Sequence, residues 1–262
     1  MQARPSLCVS MARPMKLRYT IGTTIVGGFV MKTIELYHGS SHVIERPTFG
    51  LGNPRNDYGL GFYCTETLAM AQEWGCVDGN SGYANKYRLD LAGLDVLDLS
   101  EDEGYNVLNW LAVLLDNRMV RLSTGLPKQA AEYLAKVFLP DYRDSDVMRG
   151  YRADDSYFAF ASAFLSGAIS LEQLQRAMML GELGEQVVVR SPRAFQRLEF
   201  VEAIPADGSV FYQRKERRNA QAKEAFQKER ESSTATQGLY AVDMLREGWN
   251  NDSACLRHPL SR

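Results

Sequence analysis

The chain has 262 residues, 45% of them apolar and 24% charged, with 30 basic and 32 acidic side chains for a formal net charge of −2. This length and composition support a buried core without disulfide or metal staples, and the near balance of charge argues against a nucleic-acid coat or a membrane-surface protein. Four cysteines without a CxxC spacing and three histidines without an HxxxH pair argue against structural zinc or a disulfide framework, and for a reducing cytoplasm.

Residues 1–30 carry Arg4, Arg13, Lys16 and Arg18 and no acid. The apolar run TIGTTIVGGFV is diluted by Thr and Gly, is too short and polar to span a bilayer, and is followed by no small-x-small cleavage site. It reads as an extension upstream of Met31, disordered or loosely attached. From Thr33, the residues Ile34, Leu36 and His38 alternate with Glu35 and Tyr37, and Gly39, Ser40 and Ser41 end the run, so His38 falls at a strand end. Gly50, Gly52, Pro54, Gly59 and Gly61 then predict a loop that enters a short strand at 61–64. Thr65 or Thr67 caps a helix from Leu68 to about Trp74, and 84–91 and 96–99 read as strands.

The middle is helical by its periodicity. Tyr105 to Met119 and Pro127 to Phe138 read as core-facing amphipathic helices. Asp154, Asp155 and Ser156 can cap a helix over 157–164, and Ser170 with Gln173 has the capping-box spacing for another through Met178. Strand patterns return at 185–191 and 197–204, with 210–212 as one further short strand. Arg214 to Glu231 reads as a solvated basic helix, and 239–245 as a short amphipathic piece.

Three stretches carry a likeness: LYHGS (36–40), GLGFYCTETLAMAQEW (59–74) and GEQVVVRS (184–191), on strand, strand plus helix, and strand. They resemble the ADP-ribosyltransferase superfamily, in the His-Tyr-Glu branch that contains diphtheria toxin and the poly(ADP-ribose) polymerases. The fuller patterns FGxGNPRNDYGxGFY, YRADDSYF and LGEQ are similar to those of a bacterial group of domains of unknown function placed in that superfamily. The resemblance implies an α+β fold, with a split antiparallel sheet gripping NAD in a cleft and a helical layer inserted at about 103–179. It implies a catalytic domain over 31–213, flanked by the 1–30 extension and a helical appendage over 214–262.

The implied activity is mono-ADP-ribosyl transfer from NAD, without a metal, to a macromolecular acceptor that is protein, RNA or DNA. Breaking the nicotinamide–ribose bond passes through an oxocarbenium-like transition state, so the site must hold sugar and leaving group still. By resemblance, His38 hydrogen-bonds a ribose hydroxyl, and the main chain of Gly39, beside Ser40, clamps the nicotinamide amide. Tyr63 stacks on the nicotinamide ring, and Trp74 is the aromatic position on the following helix. Arg55 presents a guanidinium from a glycine-rich loop, which suits a pyrophosphate.

The third catalytic position falls on Gln186 or, with a slip of one residue, on Glu185, and strand alternation lets only one of them enter the cleft. The bacterial group favours Gln186. A carboxylate there would balance oxocarbenium charge and help activate an acceptor, whereas a neutral amide only orients. Asp154, Asp155, Ser156 and Tyr157 form a further candidate, either as a helix cap or as a base at the acceptor site. The group's usual settings, toxin–antitoxin pairs and phage defence, imply an antitoxin protein as a partner. Two alternatives stand beside this reading: an NAD glycohydrolase, with water as acceptor, and a catalytically silent NAD-binding or interaction module.

Overall fold

The period of two across residues 33–40 makes a strand that buries Leu36 completely. A computed structural model describes residues 24–26, 29–31, 33–99, 104–118, 122–152, 155–178, 184–231 and 238–256. Strands β1 (Thr24–Val26) and β2 (Phe29–Met31) pair as an antiparallel ribbon, a sheet of its own, while residues 1–23 lie outside the described residues. Then follow β3 (Thr33–Ser40), β4 (Phe62–Cys64), α1 (Leu68–Gly75), β5 (Gly82–Asp90), β6 (Val96–Asp98), α2 (Val107–Asn117) and α3 (Leu126–Val137). The remainder is β7 (Val147–Tyr151), α4 (Asp155–Leu165), α5 (Leu171–Met178), β8 (Glu185–Val189), α6 (Pro192–Phe195), β9 (Leu198–Ala206), α7 (Gly208–Glu231) and α8 (Ala241–Glu247). Among the described residues, no helix is long and apolar enough to cross a membrane.

The fold is α+β. One sheet has the order β3-β5-β9 and is antiparallel throughout; the other has the order β4-β8-β7-β6, antiparallel except for the parallel pair β6–β7. An isolated antiparallel bridge joins them. The Tyr37 N–H donates to the Thr65 carbonyl at 2.7 Å, and the Thr65 N–H donates to the Tyr37 carbonyl at 2.9 Å. Beyond this bridge β3 and β4 part.

Two apolar cores follow from the alternation of β8 and β7. Val187, Val189 and Val147 face Leu36 and Leu89 across the space between the sheets, with Cys64 beside them. Val188 and Met148 face the other way, onto Leu108, Leu111, Leu134, Phe160, Leu174 and Met244 of the helices. Burying each such side chain contributes roughly 1.5–3 kcal/mol, so this helical face holds most of the stabilisation. Ala241, Met244 and Trp249 lie in that same core, which ties α8 to the body of the fold.

Three sequence expectations change. The stretch 103–179 is not a purely helical layer, because β7 runs through it as an interior strand of the second sheet. Both faces of β7 are buried, so Val147 and Met148 show no apolar-polar alternation, and Gly150 weakens its strand signal further. Residues 210–212 belong to α7: Asp207 accepts from the N–H of Ser209 through its side chain, and from those of Val210 and Phe211 through its carbonyl. That cap overrides the β-branched signal of Val210. Nor is α7 solvated throughout, since Arg218 is largely buried in an ion pair with the buried Glu73 of α1, Nε to Oε2 at 3.1 Å. The capping box of Ser170 and Gln173 forms as its spacing predicts, with bonds of 2.9 and 3.2 Å.

Helix α1 lies directly on the end of β3. A Cβ on Gly39 would overlap the Ala71 carbonyl and come within 2.6 Å of the Gly75 nitrogen and 2.7 Å of the Trp74 Cβ. Gly39→Ala should therefore destabilise the protein by about 3 kcal/mol, the upper range for overpacking, because the obstacles are main-chain atoms that cannot swing aside. Urea unfolding of the purified variant measures this, and a midpoint equal to that of the wild type would show that α1 yields.

Candidate functional site

His38 sits where the two sheets separate. Its Nδ1 lies 2.7 Å from the Tyr63 main-chain oxygen, and its ring stacks on Phe62 with centroids 4.3 Å apart. A carbonyl only accepts, so Nδ1 carries the proton, and in the neutral ring Nε2 is left as an acceptor. Burial lowers the His38 pKa below its usual 6.5, more than the bond to Tyr63 raises it, so the ring is neutral at pH 7. Phe62 is buttressed in turn by Tyr87 and Phe195. On the β5 side, buried Asn85 donates to the carbonyls of His38 and His42 and accepts from the Ile44 N–H at 2.9 Å, which fixes the turn out of β3.

Gly39 follows in the strand. Tyr37 directs its N–H and carbonyl toward β4, and strand alternation points those of Gly39 the same way, into the gap beyond the bridge. One donor and one acceptor side by side match the edge of a carboxamide. Ser40 turns inward on its own loop, its hydroxyl accepting from the His42 N–H at 3.1 Å.

Tyr63 acts on the glycine-rich loop as well as through its ring. Its hydroxyl donates to the Gly59 carbonyl at 2.7 Å and accepts from the Tyr58 N–H at 3.0 Å. Burial is the main cause that pushes its phenol well above 10, so it is no base at neutral pH. The loop's buried half is fixed by further bonds. Tyr58 and Trp110 both donate to the Tyr151 carbonyl, at 2.7 and 2.9 Å, and Asp57 pairs with Arg118 at 2.7 Å.

On β8 the parity is plain. Gln186 is 4% exposed and faces the same side as Tyr63, its amide nitrogen 3.0 Å from Asp57 Oδ2. Glu185 faces the opposite side, in an ion pair with Arg149, which also pairs with Glu66 at 3.0 Å. Burial disfavours the charge on Arg149, yet the two glutamates outweigh it and hold the guanidinium protonated. Glu185 is thus committed to a structural pair.

The remaining candidates are more scattered. Trp74 is half-buried and carries the Arg152 guanidinium over its ring, 4.1 Å from the centroid, so one face is taken. Its indole nitrogen is buried without a hydrogen-bond partner among the described residues. Arg55 lies on the exposed half of the loop, its N–H bonded to the Asn53 side chain at 2.9 Å. Asp154 lies outside the described residues, as do the side chains of Asp155, Ser156 and Tyr157. Among the described residues, no group of three or more His, Cys, Asp and Glu side chains is arranged to hold a metal ion. Sequence reading passed over Asp57, Tyr58 and Arg118. The only signal for Asp57 was an acidic residue inside a glycine-rich loop, and Arg118 comes from the end of a distant helix.

Because Tyr63 staples the loop, Tyr63→Ala would disturb the fold as well as the site. Tyr63→Phe is the cleaner probe: it keeps the ring but strands the Tyr58 N–H and the Gly59 carbonyl. It should cost about 1–3 kcal/mol in urea unfolding. Loss of less than about 0.5 kcal/mol would mean that water or the loop itself replaces the hydroxyl.

The sequence profile of a family described as Protein of unknown function (DUF3990) matches residues 34–200, from β3 into β9, a span that encloses His38, the glycine-rich loop, Tyr63, Trp74 and Gln186. No curated protein and no solved structure matches the chain. Covering well over half of the sequence, the profile match makes this chain a member of the DUF3990 family.

Proposed function

We propose that this protein is an ADP-ribosyltransferase of the His-Tyr-Glu type, transferring ADP-ribose from NAD to a macromolecule. The observation that carries the reading is the gap beyond the Tyr37–Thr65 bridge. There a neutral imidazole, fixed by the Tyr63 carbonyl, stands beside a glycine whose main-chain donor and acceptor point, by strand alternation, toward the β4 side past the last bridge. This is the pairing the reaction asks for, an acceptor for a ribose hydroxyl and a two-point clamp for a carboxamide. Two sheets joined by an isolated bridge fit the split sheet of that superfamily.

In the proposed reaction, the bond from the ribose anomeric carbon to the nicotinamide nitrogen breaks, and its electron pair stays on nitrogen as neutral nicotinamide leaves. A lone pair of the acceptor forms the new bond to that carbon, and the acceptor's proton passes to solvent. His38 Nε2 and the Gly39 main chain hold the two halves of the breaking bond apart and aligned. Gln186 carries no charge to neutralise the oxocarbenium ion and no basic group to deprotonate an acceptor, so the acceptor brings its own nucleophile. That amide also favours one second reading, NAD binding without turnover. An antitoxin protein that covers the site is the partner expected of a toxin–antitoxin setting.

Incubation with labelled NAD and whole-cell lysate, followed by separate protease and nuclease digestion, tests activity and acceptor together. Label that stays on macromolecules supports transfer. Free ADP-ribose alone indicates a glycohydrolase, and NAD retention without nicotinamide release indicates a binding module.

His38→Asn keeps a donor near the Tyr63 carbonyl but removes Nε2, so it should lower kcat/KM for nicotinamide release about tenfold to a hundredfold while the protein stays folded. Wild-type turnover in that variant would remove His38 from the site. The pH dependence has a definite sign. A histidine whose folded pKa is lowered contributes stability that is present above 6.5 and lost as pH falls through the folded value. Nicotinamide release should accordingly be level from pH 8 to about 6.5 and decline below, as Nε2 gains a proton. A rise in activity on acidification would contradict the neutral-ring assignment.

A further inference from the structure

The buried amide of Gln186 has an orientation that chemistry fixes. Its nitrogen lies 3.0 Å from Asp57 Oδ2 and 3.4 Å from the Tyr151 carbonyl oxygen. Both neighbours only accept, so the nitrogen must face them and the amide oxygen must face away. Asp57 is itself 5% exposed, and its other oxygen meets Arg118 Nε at 2.7 Å. A carboxylate is kept in such a place only with a cation and donors around it, and Asp57 has both.

The contact is a charge-assisted hydrogen bond in dry surroundings, which polarises the amide and leaves its oxygen more negative. Arg118 does not cancel this, because it holds the far oxygen and its side chain is 27% exposed, where water screens it. We infer that Asp57 is a positioning residue for the third strand: through the Gln186 amide it delivers the negative potential that a glutamine alone withholds. For its catalytic consequence the inference rests on the ADP-ribosyltransferase reading; for its electrostatics it rests on the buried contact alone.

Among the described residues, Arg118 after α2 pairs with Asp57, and Tyr58 on the loop and Tyr63 on β4 feel the Asp57 charge; Asp98 at the end of β6 acts in turn on Tyr58, and Arg190 after β8 on Tyr63. Both phenols are pushed up chiefly by burial and stay neutral at working pH. Gln186→Glu would therefore set a new carboxyl directly against the Asp57 carboxylate. Two carboxyls in one dry site do not both ionise readily, so the new group should titrate well above its ordinary value of about 4.3. An acid whose folded pKa is raised contributes stability below its unfolded pKa that is lost as pH rises through the folded one.

Melting temperature against pH reads this without any substrate. The gap between wild type and Gln186→Glu should widen by about 5 °C from pH 5 to pH 8. With Asp57→Asn in both members of the pair, the gap should widen clearly less, by no more than burial alone imposes on the new carboxyl. If Asp57→Asn fails to fold, Arg118→Gln in both members takes its place and should widen the gap further, since the cation is then gone. A gap independent of pH with Asp57 intact, or the same widening without it, overturns the inference. Nicotinamide release then separates the two claims. If the melting curves behave as expected while the wild type releases none, the electrostatic link stands and the transferase reading fails. Where the wild type turns over, Asp57→Asn should lower kcat about tenfold or more and leave KM for NAD within about twofold. An unchanged kcat in folded Asp57→Asn also overturns the inference.

Discussion

A main-chain carbonyl at the point where two strands diverge has no ladder partner, and at Tyr63 the imidazole of His38 takes that place. Much else hangs on this one hydrogen bond. It occupies the space the parting strands leave, so the gap neither closes into a continuous sheet nor lies open to its base. It sets the tautomer, because the acceptor across from Nδ1 cannot give a proton. It also links the inter-sheet core, through Phe62 beside the ring, to the glycine-rich loop, through the Tyr63 phenol on the other face of β4.

The helices between β6 and β8 serve the site at one remove. Helix α2 sends Asn117 toward the loop, where its amide donates to the Tyr142 hydroxyl at 3.0 Å and comes within 3.5 Å of the Asp57 carbonyl. Arg118, the next residue, pairs with the Asp57 side chain, and Trp110 shares the Tyr151 carbonyl with Tyr58. A loop rich in glycine loses much conformational entropy on ordering, and these bonds to a rigid layer offset it for the half that is buried. The exposed half, with Leu51 and Arg55, faces solvent and, among the described residues, has no such anchoring from the layer.

What the sequence revealed follows physical lines. Strands with one wet face, such as β3, and helices with a capping box, such as α5, announce themselves by period and by local bonds that need no tertiary partner. Strand β7 did not, because burial on both faces erases alternation. That only one of Gln186 and Glu185 shares a face with Tyr63 could be read from strand parity, but the partner of Gln186 could not, since Asp57 is 129 residues away and no local rule pairs a loop aspartate with a strand glutamine. Likewise, the charge run of α7 gave no hint that Arg218 turns inward to meet Glu73.

The glycine contact between β3 and α1 has a mechanical meaning. Where main chain rests on main chain, no side chain lies between to change rotamer and absorb a shift. The same is true at Gly82 of β5, whose absent Cβ leaves room for the Gly75 and Ser40 carbonyls. Strand end, helix and neighbouring strand thus form a stiff, nearly incompressible corner. Opposite this corner, β4 is stapled as well, and only the exposed stretch of its glycine-rich approach, around Leu51 and Arg55, lacks such support, so the two sides resemble a vice whose jaws are both fixed and whose only give is at one outer lip.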